Sequence, residues 1–301
     1  YLVFAAYAVL IVGVGLWVSR EKDGQQKNAE DYFLASKSLP WWAIGSSLIA
    51  ANISAEQFIG MSGSGFALGL AIASYEWMAA FTLIIVGKYF LPIFIEKGIY
   101  TIPEFVEKRF STNLKTILAV FWIALYVFVN LTTVLYLGGL AIETILGVDM
   151  IYAIIGLALF SAAYSLYGGL SAVAWTDVIQ VIFLVLGGLV TTYLALNTVS
   201  DGAGMWEGMK TVYNAAPDRF VMILDKSNPE YMILPGIGVL VGGLWVANIY
   251  YWGFNQYIIQ RTLAAKSLRE AQKGILLAAF LKLLIPFIVV VPGIAAYVMV
   301  N

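Results

Sequence analysis

Three polar side chains lie near the middle of long apolar segments, at a depth where ionisable groups are costly. Asn52, Glu76 and Lys282 each lie about 15 to 16 Å from the start of their segment, at about 1.5 Å per helical residue. A charge at that depth needs a partner inside a helix bundle. We therefore expect Glu76 and Lys282 either to form a structural ion pair or to share hydrogen bonds with a polar solute.

Further hydrogen-bonding groups accompany this pair. The amides of Gln57 and Asn248 add donors and acceptors to the carboxylate and the ammonium group. Because each sugar hydroxyl both donates and accepts, this mixture favours a neutral polyhydroxylated ligand. No nucleophile–base pair or metal cluster is visible in the sequence, so an enzyme is the least expected class.

Aromatic residues flank the polar ones. Tyr75 precedes Glu76, and Tyr251 and Trp252 follow Asn248 closely. A large flat ring can cover one face of a sugar or act as a thin gate. For Trp252 an aromatic belt at the membrane interface is an equal alternative, whereas Tyr75 lies too deep for a belt.

One more carboxylate, that of Asp177, lies inside an apolar segment. It is about 9 Å from the start of that segment, with Gln180 on the same helical face. It can attract a cation that leaves the site. A local helix-cap or loop contact explains its position nearly as well.

The composition defines the environment of these residues. Hydrophobic residues make up 61% of the 301-residue chain, charged residues make up 12%, and the mean hydropathy is +0.86, so lipid is the main solvent. The alternating segments typical of a β-barrel are not seen. The sequence therefore predicts an all-α polytopic membrane protein. Its apolar segments are 1–19, 41–63, 66–95, 115–147, 149–167, 171–198, 232–258 and 271–300.

Absent residue types exclude several kinds of chemistry. The chain has no Cys and no His, which excludes disulfides, thiolate nucleophiles, the usual zinc sites and histidine proton relays. With a net charge of -1 there is no overall attraction to nucleic acid, and no organic cofactor is expected. The chain starts at Tyr1 without Met and ends at Asn301 after an apolar run, so we expect both ends to be truncated.

Basic residues are unevenly distributed between the two sides of the predicted bundle. Of the 17 Lys and Arg residues, thirteen are assigned to one side of the eight crossings, and one, Lys282, is left in the middle of a segment. Lys210, Arg219 and Lys226 fall on the other side. The positive-inside rule assigns the Lys/Arg-rich loops to the cytoplasm. Tyr1 is then expected outside.

Two segments have the composition of broken helices. The second contains Asn52, Ser54 and Gln57 and runs out through glycine and serine, and the seventh contains Pro235 and several glycines. Such residues weaken a helix. The two segments lie five apart and run in opposite directions, as the first helices of an inverted five-plus-five repeat do, and such a pair points to a binding site. Close helix packing through small residues is the alternative.

Several longer stretches together resemble one family. They are DYFLA at 31–35, SSLIAANISAEQFIGMSGSG at 46–65, TIPEFVEKRF at 101–110, YGGLSA at 167–172 and NQYIIQRTLAAK at 255–266. In this order, over nearly the whole chain, they are similar to the sodium:solute symporter family, most of all to its bacterial sodium/galactose branch.

The resemblance implies a leucine-transporter-like inverted-repeat helical bundle in the cell inner (plasma) membrane. A peripheral transmembrane helix, 1–19, would precede the first five-helix repeat, 41–198. An extracellular or periplasmic loop, 199–231, would lead into the start of the second repeat, 232–301. We expect this second repeat to be incomplete, because helices that complete the sodium site and add a sugar contact would follow Asn301.

The resemblance also implies roles for individual residues. Those expected to hydrogen-bond the sugar are Gln57, Glu76, Asn248 and Lys282. Those expected to form gates are Met61 and Tyr75 on the outer side and Tyr251, Trp252 and Asn52 on the inner side. Those expected to serve sodium are Ala50 and Ile53, through backbone carbonyls, and Asp177, on the exit path. Ala79 departs from the pattern, because galactose carriers have a sugar-contacting serine there, so the particular hexose stays open.

The expected function is symport of sodium and a hexose, galactose or glucose, by alternating access across the lipid bilayer. One alternative is a sodium- or proton-coupled carrier of an amino acid, a nucleobase or choline, and another is a channel or a receptor. A zwitterion has no need of a buried Lys, so Lys282 argues modestly against an amino acid. Proton coupling stays open, since Glu76 or Asp177 can carry a proton.

Overall fold

The computed structural model describes residues 2–20, 28–53, 56–234 and 236–301, and these are mostly helical. Tyr1, Ser54 and Pro235 lie outside the described residues, so the predictions that involve them are not addressed. The helices, numbered in chain order, are α1 (Leu2–Val18), α2 (Ala29–Leu34), α3 (Trp41–Asn52), α4 (Met61–Leu68), α5 (Ala73–Ile85), α6 (Leu91–Glu96), α7 (Ile102–Arg109), α8 (Thr112–Leu125), α9 (Thr132–Leu146), α10 (Met150–Val199), α11 (Met205–Ala215), α12 (Gly236–Gly238), α13 (Leu244–Ile249), α14 (Gln256–Leu263) and α15 (Leu268–Val300).

Short π-helical and 3-10 turns join many of these helices end to end. In the described part of the chain, five continuous stretches are long and apolar enough to cross a membrane. They are Gln57–Glu96, Thr112–Leu146, Met150–Val199, Pro229–Phe254 and Leu268–Val300, and Leu2–Val18 is a shorter apolar helix. Together with α3, and with one glycine break inside each of two stretches, they correspond to the eight predicted segments.

Two glycine breaks divide long helical stretches: Gly169 lies between the predicted fifth and sixth segments, whereas Gly69 lies inside the predicted third segment, 66–95. Gly169 has φ 61° and ψ -152°, and Gly69 has φ 77° and ψ -153°. Glycine adopts this region at little cost, and other residues essentially do not. Gly147, with φ 66°, ends α9 as predicted, and the side chain of Asp149 caps the next helix by accepting from the amide of Ile151.

The predicted end of the second segment at residue 63 is wrong. The helix continues to Leu68, and the chain turns at Gly69–Ile72. The glycines before this turn serve close packing: a Cβ on Gly65 would lie 2.6 Å from the carbonyl oxygen of Val290 in α15. The sequence prediction took these small residues as the end of a helix, whereas in the structure they permit close contact between two backbones.

The central element of the bundle is α15, which packs against α3, α4, α5 and α10. Its backbone touches that of α3 closely, because a Cβ on Gly45 would lie 2.8 Å from the carbonyl oxygen of Gly274. On the periphery, α1 packs against α10. The large apolar side chains of α8 and α9 are mostly exposed.

Two prolines, Pro286 and Pro292, lie inside α15. Proline has no N–H, so carbonyl groups in the preceding turn lose their regular partner. Side chains from neighbouring helices donate to carbonyls close to both prolines. These bonds join Trp77 Nε1 to Leu283 O (3.3 Å), Thr192 Oγ1 to Phe287 O (3.0 Å) and Ser62 Oγ to Val289 O (2.9 Å). These bonds fasten α4, α5 and α10 to α15 in the region of the two prolines.

The loop between α10 and α12 contacts the end of α4. Arg219 Nη1 donates to the carbonyl groups of Phe66 and Ala67, which are among the last carbonyls of that helix. The guanidinium group of Arg219 lies 4.0 Å from the ring centroid of Tyr297 in α15. One loop residue therefore ties the end of α4 to α15.

The break at Gly169 gives a testable prediction. Gly169→Ala should destabilise the protein by about 1 to 3 kcal/mol, because the backbone is strained for alanine and its Cβ would lie 3.0 Å from the ring of Tyr32. Gly156→Ala in the same helix is the control, since a Cβ there meets no atom within 4 Å. The thermal unfolding midpoint of the detergent-solubilised protein measures both. A midpoint for Gly169→Ala that equals that of the control would contradict this explanation of the break.

Candidate solute-binding site

A cavity of about 450 Å³ lies where α5, α13 and α15 meet the end of α3. Its volume is within the range of about 300 to 1,000 Å³ typical of small-molecule sites. All nine residues predicted to bind the sugar or to form its gates line this cavity. The full lining consists of Asn52, Gln57, Met61, Ile72, Tyr75, Glu76, Ala79, Leu244, Ala247, Asn248, Tyr250, Tyr251, Trp252 and Lys282.

A buried ion pair lies in the wall of this cavity. Lys282 Nζ is 2.5 Å from Glu76 Oε2, and the side chains are 1% and 6% exposed. Lys282 also donates to Asn52 Oδ1, and its ammonium group lies 5.3 Å from the ring centroid of Trp252. The pairing of the two charges predicted from their depth is thus present. Charges removed from water need such additional partners.

The remaining predicted sugar ligands lie beside the pair. Gln57 Nε2 donates to Glu76 Oε1 at 2.5 Å and to Met61 Sδ at 3.0 Å. Both oxygens of the Glu76 carboxylate therefore have partners, one an ammonium group and the other an amide. Asn248 lines the same cavity, and its amide nitrogen donates to the carbonyl oxygen of Leu244 in the preceding turn, at 3.0 Å.

The predicted gate residues differ in their exposure. Tyr75 is 39% exposed, whereas Trp252 is 2% exposed. Tyr251 accepts a hydrogen bond at its hydroxyl from Asn52 Nδ2, at 3.1 Å. Asn52 and Tyr251 also line a second cavity of about 300 Å³, so this hydrogen-bonded pair forms part of the wall between the two cavities.

The second segment is broken, as predicted. α3 ends at Asn52, and Ile53 is extended, with φ -91° and ψ 102°. The last carbonyl groups of a helix have no partner within it, and here they include those of Ala50 and Ile53. Both residues line a third cavity of about 500 Å³, together with Thr191. Carbonyl and hydroxyl oxygens of this kind are suitable ligands for a hard cation.

Between residues 236 and 254 the seventh segment shows no extended break, and Pro235, on which the prediction also rests, lies outside the described residues. From 236 to 254 it stays helical, with π-helical turns at Val239–Gly243 and Tyr250–Phe254. The extended residue is Asn255, so the segment ends at Phe254, before the predicted residue 258. Glycine weakens a helix without dictating how it deforms, and a π turn accommodates the weakness while the backbone stays helical.

Asp177 lies in a buried polar cluster. Ser47 Oγ donates to Asp177 Oδ2 at 2.5 Å, Arg261 Nε donates to Ser47 Oγ at 2.8 Å, and Arg261 Nε is 3.7 Å from Asp177 Oδ2. The side chains of Asp177 and Arg261 are 8% and 11% exposed. The structure therefore shows an inter-helical cluster around this carboxylate, where the sequence predicts an attraction for a departing cation or a local cap.

Two residues with contacts at these sites were not singled out from the sequence. Tyr257 shares a hydrogen bond with Tyr251, with 2.9 Å between their hydroxyl oxygens. Arg261 pairs with Asp177. Tyr257 and Arg261 are four residues apart, which places them on one helical face. That spacing could have indicated that the two residues act at one site. The contact between Arg261 and Asp177 could not be predicted in this way, because the two residues are far apart in sequence.

Comparisons with known proteins agree with this architecture. The family model described as the sodium:solute symporter family matches residues 32–301. A solved structure of a Na+-coupled sialic acid symporter in a substrate-bound outward-open state superposes with a TM-score of 0.86 at 25% identity. The match covers 99% of this chain and 61% of that one. The fold is thus the leucine-transporter-like helical bundle.

Curated relatives are similar over nearly the whole of this chain. The sodium/glucose cotransporter of Vibrio parahaemolyticus is 74% identical over 300 residues, which is 100% of this chain and 55% of the relative. Sodium/myo-inositol cotransporter 2 of Homo sapiens is 35% identical, covering 99% and 45%. Sodium/glucose cotransporter 4 of Mus musculus is 34% identical, covering 97% and 43%. The chain spans about half the length of these relatives, and it belongs to the sodium:solute symporter family.

Proposed function

We propose that the protein to which this chain belongs couples the entry of sodium to the uptake of a hexose by alternating access. The observation that carries this proposal is the cavity of about 450 Å³, in whose wall Glu76, Lys282, Gln57 and Asn52 form one connected set of hydrogen-bonding groups. The named sodium/glucose relatives support the choice of a sugar.

The polar groups of the cavity suit a neutral solute with many hydroxyl groups. The carboxylate of Glu76 accepts, the ammonium group of Lys282 donates, and the amides of Gln57 and Asn248 do both. The two charges neutralise each other, so a neutral ligand adds no uncompensated charge to a buried site. A hexose that binds here would exchange some of the present side-chain hydrogen bonds for bonds to its own hydroxyls, with Met61 and Tyr75 on one side and Tyr251 and Trp252 on the other.

Sodium would bind at the end of α3, as cargo. Ala50 and Ile53 belong to the same turn as Asn52, where the helix ends. Asn52 faces the solute cavity, and Ala50 and Ile53 line the neighbouring one. A cation held there stabilises one arrangement of the break, and that arrangement presents Asn52 to the solute site, so the two ligands share one bistable element. Asp177 would act on the exit path of the ion.

The orientation and the domain division follow from the same proposal. The Lys/Arg-rich loops are assigned to the cytoplasm and the start of the chain to the outside. Residues 41–198 then form the first five-helix repeat, and 232–301 begin the second, with the loop 199–231 outside. The membrane would be the cell inner (plasma) membrane.

Uptake driven by an ion gradient tests the function. Proteoliposomes that contain the full-length protein should accumulate galactose or glucose above the external concentration when an inward sodium gradient is imposed. A proton gradient should give no accumulation. A panel with myo-inositol, an amino acid and choline identifies the solute class. Equilibration without accumulation would indicate a channel, and no uptake of any solute would contradict the transporter assignment.

Two substitutions test the cavity as the solute site. Glu76→Gln should weaken sugar binding by about tenfold to a hundredfold, as expected for the loss of hydrogen bonds to a charged group, and Gln57→Ala should weaken it less. Glu207→Gln is the matched control, because Glu207 forms a surface pair with Lys210 in which both side chains are 53% exposed. Calorimetric binding to purified full-length protein measures the affinities. Unaltered sugar affinity in both cavity variants would show that the solute does not bind in this cavity.

A separate cycle of variants distinguishes a structural role of the ion pair from a binding role. Lys282→Met alone should destabilise the protein by about 3 to 5 kcal/mol, because Glu76 is left buried without its cation. Lys282→Met combined with Glu76→Leu should recover most of this stability while sugar binding stays lost. Unfolding midpoints and binding are measured on the same samples. Sugar binding retained by the double variant would make the pair purely structural.

A further inference from the structure

The hydroxyl group of Tyr251 has two partners on different helices. Asn52, at the end of α3, donates to it from Nδ2 at 3.1 Å. Tyr257, in α14, shares a hydroxyl–hydroxyl hydrogen bond with it at 2.9 Å. The two tyrosine rings meet edge to face, with centroids 6.2 Å apart and an interplanar angle of 86°. Two hydrogen bonds, from two different helices, therefore fix the position of the Tyr251 ring.

Tyr257 is itself held from two sides. Its ring packs edge to face on that of Tyr126, with centroids 5.5 Å apart at 89°. Its main-chain carbonyl accepts a hydrogen bond from Nη1 of Arg261, and Arg261 in turn binds the buried cluster of Ser47 and Asp177. The hydroxyl group that reaches Tyr251 therefore comes from a fixed support and not from a mobile side chain.

Tyr257 lies on the far side of the gate from the solute. It lines the cavity of about 300 Å³, which it shares with Asn52, Gln57 and Tyr251. The lining of the cavity of about 450 Å³ contains those same three residues but not Tyr257. Tyr257 thus contacts the gate residue Tyr251 but is not among the residues that line the solute cavity.

We propose that Tyr257 is a positioning residue of the inner gate: its hydroxyl group holds the ring of Tyr251 across the solute cavity. This inference rests on the proposed function, in which Tyr251 closes the inner side of the solute cavity. The role proposed for Tyr257 does not involve contact with the solute. Loss of its hydroxyl group should free the ring of Tyr251 and leave every group that faces the sugar in place.

The absence of cysteine from the 301 residues provides a direct readout. Ala79 lines the solute cavity and is 4% exposed, so Ala79→Cys introduces a single small reporter, with any cysteine elsewhere in the full-length protein replaced. Inside-out membrane vesicles are treated with a membrane-impermeant maleimide in the absence of sugar and sodium. Tyr257→Phe should raise the rate of modification about fivefold, the effect of losing one neutral hydrogen bond.

Tyr126→Phe is the matched control. Tyr126 packs on the same ring of Tyr257, but its hydroxyl group donates to Asn255 Oδ1 at 2.7 Å and not to the gate. The rate of modification should therefore equal that of the parent protein. An equal rise in Tyr126→Phe would mean that loosening this aromatic cluster in general, and not the Tyr257 hydroxyl group, exposes the reporter.

A second background tests whether Tyr257 acts through Tyr251. Tyr251→Phe removes the same hydrogen bond from its other end and should raise the modification rate at least as much. Adding Tyr257→Phe to it should change nothing further. An additional rise in the double variant, or an unchanged rate in both single variants, would overturn the positioning role.

The two proposals can fail separately. A raised modification rate in a protein that accumulates no sugar would keep the gate and reject hexose symport. Normal sodium-driven uptake together with an unchanged modification rate in both single variants would keep symport and reject the role of Tyr257.

Discussion

The ion pair between Lys282 and Glu76 is the interaction on which the rest of the site depends. Two charges taken out of water are tolerated when they meet each other and find further hydrogen bonds. That requires α5, α15 and the end of α3 to converge on one point, and the contact between Gly45 and Gly274 allows the last two to approach closely. The close packing of the backbones is therefore what allows the two buried charges and their partners to meet in one pocket.

The break after α3 places carbonyl groups without helical partners and the Asn52 side chain on one turn of backbone. A continuous helix would pair the carbonyl groups of Ala50 and Ile53 internally and leave nothing for a cation. Because the helix stops, these oxygens lack helical partners, and the Asn52 side chain in the same turn bonds Lys282 and Tyr251. Residues of this turn line two cavities, so a shift of the turn changes both at once. Under the proposed function, this turn is where the ion and the solute would influence each other.

Features that depend on composition and depth were predictable from the sequence, and features that depend on contacts distant in sequence were not. The depth of Glu76 and Lys282 was sufficient to predict their pairing, and small polar residues indicated the break beside Asn52. Glycine content could not distinguish a broken seventh segment from one that deforms by π turns. The partner of Asp177, namely Arg261, lies 84 positions away in the chain, and no local pattern connects the two. Residue roles in binding remain predictions.

Both halves of the broken helix pack closely against α15, α3 at Gly45 and α4 at Gly65. The end of α4 has one more anchor, the guanidinium group of Arg219, which belongs to the loop after α11 and not to a membrane-spanning helix. Substitutions in that loop can therefore alter how firmly one half is anchored while the pocket chemistry stays the same. None of the residues in this anchor lines the cavity of about 450 Å³, so the hold on the end of α4 and the chemistry of the cavity wall are set by separate residues.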